Sequence, residues 1–115
     1  MIVAIIEFHI RPGAEDLYAE WAAKLHAQVH NIDGFISVER FQSLTDPGKM
    51  LSISFFRDED AVARWRNHSR HRATQGAGRG GIFLDYRLRV AAVLRDYGMH
   101  RREQAPVDSQ AAHDG

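Results

Sequence analysis

Apolar residues occupy every even position at the start of the chain. Ile2, Ala4, Ile6, Phe8 and Ile10 fall on one side of an extended backbone, and Val3, Ile5, Glu7 and His9 on the other. The pattern predicts a strand with one wholly apolar face and a second that turns polar at Glu7 and His9, at a cavity mouth or in water. Arg11-Pro12-Gly13 ends it, because proline has no amide hydrogen for a ladder. From Ala14 the period becomes helical. Tyr18, Ala22, Leu25, Val29 and Ile32 recur every three or four residues, with Leu17 and Trp21 widening the stripe, and Asn31 to Gly34 is turn-forming.

Two further extended stretches follow. Phe35 to Ser43 sets Phe35, Ser37, Glu39 and Phe41 against Ile36, Val38 and Arg40, and Lys49 to Arg57 sets Leu51, Ile53 and Phe55 against Met50 and Phe56. Thr45-Asp46-Pro47-Gly48 between them is a turn by composition, so the two strands predict a hairpin. Asp58 can cap the next helix, with Glu59 and Asp60 suited to its positive end. That helix is expected over Ala61 to Gln75, AVARWRNHSRHRATQ, placing Ala61, Trp65, His68 and Arg72 on one face and His71 and Gln75 beside them. Gly76 to Gly81 holds four glycines but lacks the GK[ST] ending of a phosphate loop and leads into a strand, so a flexible connection or a gate fits it better.

The last extended pattern, Ile82 to Leu94, puts Ile82, Leu84, Tyr86, Leu88, Val90, Ala92 and Leu94 on one face. At about 3.3 Å per residue it would span roughly 43 Å, more than the ~35 Å diameter of a domain this size. It is therefore expected to bend at a bulge or, preferably, to run onto a second subunit. Residues 1–98 form one domain in this reading. Within the tail 99–115, Arg101 to Gly115 holds a single aliphatic residue larger than alanine, Val107, and the tail is expected to be disordered or to lie along a partner.

The order strand, helix, strand, strand, helix, strand is the split βαβ arrangement: an α+β, ferredoxin-like antiparallel sheet with both helices on one face. The other face, expected to carry Val3, Ile5 and Phe83 or their opposites, needs a cover, and a second copy of the chain is the economical one. Composition narrows the function further. Cysteine is absent, which removes disulfides, thiolate nucleophiles and cysteine metal sites. The formal net charge is zero, against general nucleic-acid affinity, and MIVAIIEFHI is neither a leader nor a membrane span, so the cytoplasm is the expected location. The charge is unevenly spread, with residues 57–102 holding eleven basic and five acidic side chains. That excess could favour an anionic ligand, such as one bearing carboxylates, or pair with the acidic first half across the fold or an interface.

PGAEDLYAEW, IDGFISVERFQS, KMLSISFFRDEDAVARW, HSRHRATQGAG and FLDYRLRV together resemble the antibiotic biosynthesis monooxygenase family of small dimeric α+β barrels, over about residues 1 to 98. The resemblance implies a homodimer and oxygen chemistry without flavin, metal or nicotinamide on a flat, electron-rich aromatic of the polyphenol or quinol type. Some relatives degrade haem and others only bind small molecules. Oxygen reacts with an electron-rich anion, so such a site must take a proton and stabilise the oxyanion in a dry cavity. The candidates are Trp65 for stacking, His68 or His71 as base, and Asn67, Tyr86 or Arg87 as orienting groups, with Glu7 near the mouth. Trp65 also reads, at helical spacing from Ala61, as a core anchor. The haem-degrading pattern has an asparagine on the first strand and an axial histidine beyond the helix tryptophan. Here Glu7 stands near the first, and Thr74 and Gln75 at the second, so haem is the alternative substrate. His26 and His30 have the spacing of a two-histidine metal site, but no carboxylate at a helical step completes it, and no resident metal is expected. No motif places a serine against a histidine for hydrolysis.

Overall fold

A computed structural model describes residues 1–68 and 81–113. Four strands, β1 (Ile2–Ile10), β2 (Phe35–Gln42), β3 (Lys49–Phe56) and β4 (Phe83–Ala92), form one antiparallel sheet in the order β2-β3-β1-β4. Helices α1 (Glu15–Val29) and α2 (Glu59–Asn67) are the two crossovers of the split βαβ arrangement. A short helix, α3 (Val107–His113), closes the described chain. No described helix is long and apolar enough to cross a membrane.

The alternation along β1 decides what faces the helices. Phe8 is buried with Tyr18 and Ala22 of α1 and with Ile82 and Phe83, while Ile6, Ile10, Trp21 and Met50 pack around them. A second cluster joins Val29, Phe56 and Ala61, backed by Ala4, Phe35, Val38, Val62 and Trp65. The odd residues of β1 face away. In the ladders Val3 opposes Phe55, Ile5 opposes Ile53, and Glu7 opposes Leu51 on one side and Arg87 on the other.

Two irregularities alter the expected faces. Between Phe35 and Ser37 the β2 register slips, so Phe35 joins Phe56 in the core and the extra residue Ile36 is left 52% exposed. Between His9 and Ile10 the β1–β4 register slips likewise, with His9 opposite Asp85 and Ile10 opposite Phe83. Leu84 is the extra residue there and lies 57% exposed. An inserted residue reverses the alternation on its strand. Phe83, expected on the face opposite Tyr86, therefore shares the inner face with it, and Leu84 takes the outer place. The last strand also stops at Ala92, two residues short of its expected end, although Val93 still donates to the Met1 carbonyl at 2.9 Å. A bulge thus accounts for part of the length that a second subunit was expected to accommodate.

The helices end where local chemistry stops them. Asp58 caps α2 by accepting the Ala61 N–H at 2.9 Å. Leu17, expected on the buried stripe of α1, is 58% exposed, and burial falls on Tyr18, Ala22 and Val29. The α1–β2 corner turns at Gly34, whose φ of +90° is open to glycine and strained for other residues. A Cβ at Gly34 would stand 2.7 Å from that of buried Ala61.

The chain after β4 makes its own contacts. Asp96 N–H donates to Gln104 Oε1 and Gln110 Nε2 to the Ala105 carbonyl, each at 2.8 Å, and the Arg102 guanidinium lies 5.3 Å over Tyr97. Residues 107–113 of the tail, expected without regular structure, are thus helical. The described molecule extends 53 × 34 × 19 Å with a radius of gyration of 16.8 Å. That exceeds the ~13 Å of a compact chain this long, as expected of a thin two-layer body with an outlying tail.

Candidate active site

Between the sheet and the helices lies a cavity of about 200 Å³. Its floor is the helix-facing row of the sheet: Ala4, Ile6 and Phe8 of β1, Val38 and Arg40 of β2, Ser52 and Ser54 of β3, and Phe83, Tyr86 and Leu88 of β4. Tyr18, Trp21, Ala22, Leu25, His26 and Val29 of α1 form one wall, and Trp65 of α2 closes another side. The floor follows from even-numbered apolar positions on β1 and from the β4 bulge, which lets Phe83 and Tyr86 both face inward.

The aromatic rings hold one another in place. Phe8 lies 5.0 Å from Phe83 and 5.4 Å from Tyr18, and Trp21 meets Phe83 edge-on at 5.2 Å. Phe83 and Tyr86 are 6.1 Å apart. Tilted and edge-to-face arrangements of this kind are favourable and fix ring orientation.

The polar groups are few. Arg40 Nη1 donates to Tyr18 Oη at 3.2 Å, and its guanidinium lies 5.8 Å from the Tyr18 ring centre. Ser54 Oγ donates to the Ala4 carbonyl at 3.4 Å. The His26 ring stands 4.6 Å from that of His30, whose Nδ1 bonds the His26 carbonyl at 2.6 Å. Among the described residues no aspartate or glutamate lines the cavity.

Carboxylates with depressed pKa values lie elsewhere. Glu7 is held below its ordinary range mainly by its hydrogen bond from Lys49, and also by Arg89, at 3.3 and 3.4 Å. The hydrogen bond from His9 lowers Asp46 at the hairpin, and that from Arg57 lowers Asp33. Asp58 is lowered first by the Ala61 N–H it accepts, then by Arg57. The acids are thus neutralised at the rim and on the far side of the sheet.

The structure separates the residues singled out in the sequence. Trp65 and Tyr86 line the cavity. Trp65 also packs on the Val29–Phe56–Ala61 cluster, so it is anchor and wall together. His68 is not on the lining. Helix α2 ends at Asn67, short of the expected Gln75, and His68 has an extended backbone at ψ 127°. Its ring lies 6.1 Å from Trp65, and its Nδ1 is buried without a hydrogen-bond partner among the described residues. The exposed Asn67 amide donates to the Ala63 carbonyl at 2.8 Å. Glu7 and Arg87 oppose each other on the face turned away from the cavity. His71, Thr74, Gln75 and the glycine run up to Gly80 lie outside the described residues.

Tyr18, Trp21, His26, Arg40, Ser52 and Ser54 were not anticipated as site residues. For Arg40 the signal was present, a cation in phase with Val38. For Tyr18 and Trp21 the helical stripe read as plain core.

A family model described as antibiotic biosynthesis monooxygenase matches residues 1–77. The chain is 43% identical over 93 residues to a protein named jasmonate monooxygenase ABM from Pyricularia oryzae, aligned over 81% of this chain and 43% of that protein. It therefore spans less than half the length of that relative. It is 28% identical over 92 residues to YqjZ of Bacillus subtilis, over 80% of this chain and 79% of the other. Among solved structures, Rv0793 from Mycobacterium tuberculosis superposes with a TM-score of 0.75 at 16% identity, covering 84% of this chain and 98% of that one. SnoaB, a cofactor-independent oxygenase from Streptomyces nogalater, gives 0.71 at 15% identity over 83% and 94%. These two likenesses show the fold. With the α+β sheet, the aromatic cavity and the match over residues 1–77, the chain belongs to the antibiotic biosynthesis monooxygenase family.

Proposed function

We propose that the chain is a monooxygenase that works without a cofactor on a small, flat, electron-rich molecule of the phenol, enol or quinol type. The observation that carries this reading is the cavity: Phe8, Tyr18, Trp21, Trp65, Phe83 and Tyr86 border a hollow of about 200 Å³ with no carboxylate on its lining. Rings offer stacking surface to a flat ligand, and the apolar surroundings strengthen electrostatic contacts made inside. The names of two similar proteins, a jasmonate monooxygenase and a cofactor-independent oxygenase, support the same chemistry.

In this reading the substrate stacks on Trp65 and Trp21 and gives a proton to an imidazole. Among the described residues His26 is the imidazole on the lining and takes that role in place of His68, which backs the Trp65 ring. The substrate anion then passes electrons to dioxygen. One oxygen atom stays on the substrate and the other leaves as water, both electron pairs coming from the substrate. The Tyr86 hydroxyl orients the reacting oxygen. The volume suits one or two rings better than a macrocycle, since pockets for drug-sized ligands start at about 300 Å³.

The working unit in this reading is a cytoplasmic homodimer. Val3, Ile5, Leu51, Ile53 and Phe55, all half-buried, form the centre of the sheet face turned from the helices, and a second copy covers it.

Oxygen uptake by the purified protein with naphthalenediols and quinols, no cofactor added, tests the proposal. Uptake is expected, and Trp65→Ala should lower kcat/KM at least about tenfold in a chain whose circular dichroism is unchanged. Silence across the panel overturns it. A haemin Soret band with ascorbate-driven loss would then identify a haem-degrading enzyme, and silence in both assays a non-catalytic binding dimer.

A further inference from the structure

The charge on the cavity lining is one-sided. Among the described residues Arg40 is the one permanently charged group on the lining, and no acid is on it. Its Nη1 donates to Tyr18 Oη, and among the described residues no carboxylate pairs with it. The Tyr18 oxygen is the acceptor in that bond, so its own hydrogen remains to be donated, and no described residue accepts it. A guanidinium has five N–H donors and a phenol one, so most of this pair's donors are left for a ligand. Arg40 is exposed at the cavity edge, so water meets those donors until a ligand displaces it. What would complete the pair is an acceptor with negative charge and two oxygens, and a carboxylate matches a guanidinium with two parallel hydrogen bonds.

Position supports the same conclusion. Arg40 lies on β2, the edge strand, opposite Ser52 in the β3 ladder. A carboxylate there would sit at the rim while the rest of the molecule reached inward to Trp21, Phe83 and Trp65. The acids of the sheet and its corners do not serve: Glu7, Asp33, Asp46 and Asp58 are each engaged by other partners, and Glu39 and Asp85, opposite Ile53 and His9 in the ladders, are on the face turned from the cavity.

The geometry points to a carboxylate-anchoring subsite formed by Arg40 and Tyr18, which makes the substrate class a flat molecule with a carboxylate at one end. This rests on the cavity being the substrate site, as proposed above, and does not depend on turnover. Calorimetric titration without oxygen, using 2-naphthoate and its neutral counterpart 2-naphthamide, measures it directly. The wild-type chain should bind the naphthoate about tenfold tighter or more, the range of a charge-assisted hydrogen bond. Arg40→Met should equalise the two probes, Arg40→Lys should keep part of the preference, and Tyr18→Phe should reduce it while the naphthamide affinity changes little. Equal affinities in the wild type, a preference that survives Arg40→Met, or binding of neither probe would overturn the subsite. A preference with no oxygen uptake on any diol would leave the subsite standing and remove the oxygenase reading. Uptake without the preference would do the reverse.

Discussion

The two faces of the sheet come from the same strands, read in alternate residues, and they treat charge in opposite ways. Away from the helices, Glu7 is held between Lys49 and Arg89 around an apolar centre. Toward the helices, a cavity lined by rings carries Arg40 with no acid opposite. One face pairs its acid within the chain itself, and the other presents a cation that no described acid pairs. Sheet residues that could do chemistry are therefore better sought where a charge lacks its complement than where charges are dense.

Neighbouring phenylalanines on β3 put this contrast to its strongest test. Phe56 is 1% exposed in the core, and Phe56→Ala should cost about 3–5 kcal/mol of folding stability by denaturant titration. Phe55 faces the other way, opposite Val3. Phe55→Ala should act mainly on self-association, seen as a concentration-dependent shift in sedimentation; equal folding losses in both variants would erase the distinction. Next in size, Gly34→Ala combines a φ of +90° with a 2.7 Å approach to Ala61, and should cost roughly 1–3 kcal/mol. Only the helix side should feel it, as a weaker grip on α2 and on Trp65, read from tryptophan emission.

The smallest effect is electrostatic. Glu7, Asp33, Asp46 and Asp58 have lowered pKa values in the folded chain, so the unfolded chain binds more protons near their ordinary values of about 4. Their stabilisation is complete above that pH and is lost as the pH falls through the folded values. The denaturant midpoint should drop on acidification, and Glu7→Gln should make the drop shallower. Naphthoate binding should be unchanged in Glu7→Gln; weaker binding would bring Glu7 back to the site.

The element order, the hairpin and the division of β1 and β3 into two faces were legible because uninterrupted alternation sorts residues by face. Two other features were not. Arg64-Trp65-Arg66-Asn67-His68 contains no glycine or proline, so nothing marks where α2 ends. Neither Ile36 nor Leu84 is a glycine or a turn former, yet each is the extra residue of a slipped register. For the site, Trp65 and Tyr86 were found because the resemblance and the strand period pointed at them. Tyr18, Trp21 and His26 lay on a helix whose stripe explained itself as core. Arg40 was placed on one side of its strand with Val38, and what it lacks became visible only with its surroundings in place.

The irregularity at Leu84 sets how specificity can drift among relatives. One inserted position turns Phe83 inward alongside Tyr86, so the breadth of this wall depends on strand length as well as on residue identity. A homologue with the same letters but without the insertion would present a different wall, and substrate assignments transferred by aligned identities alone would fail at that edge.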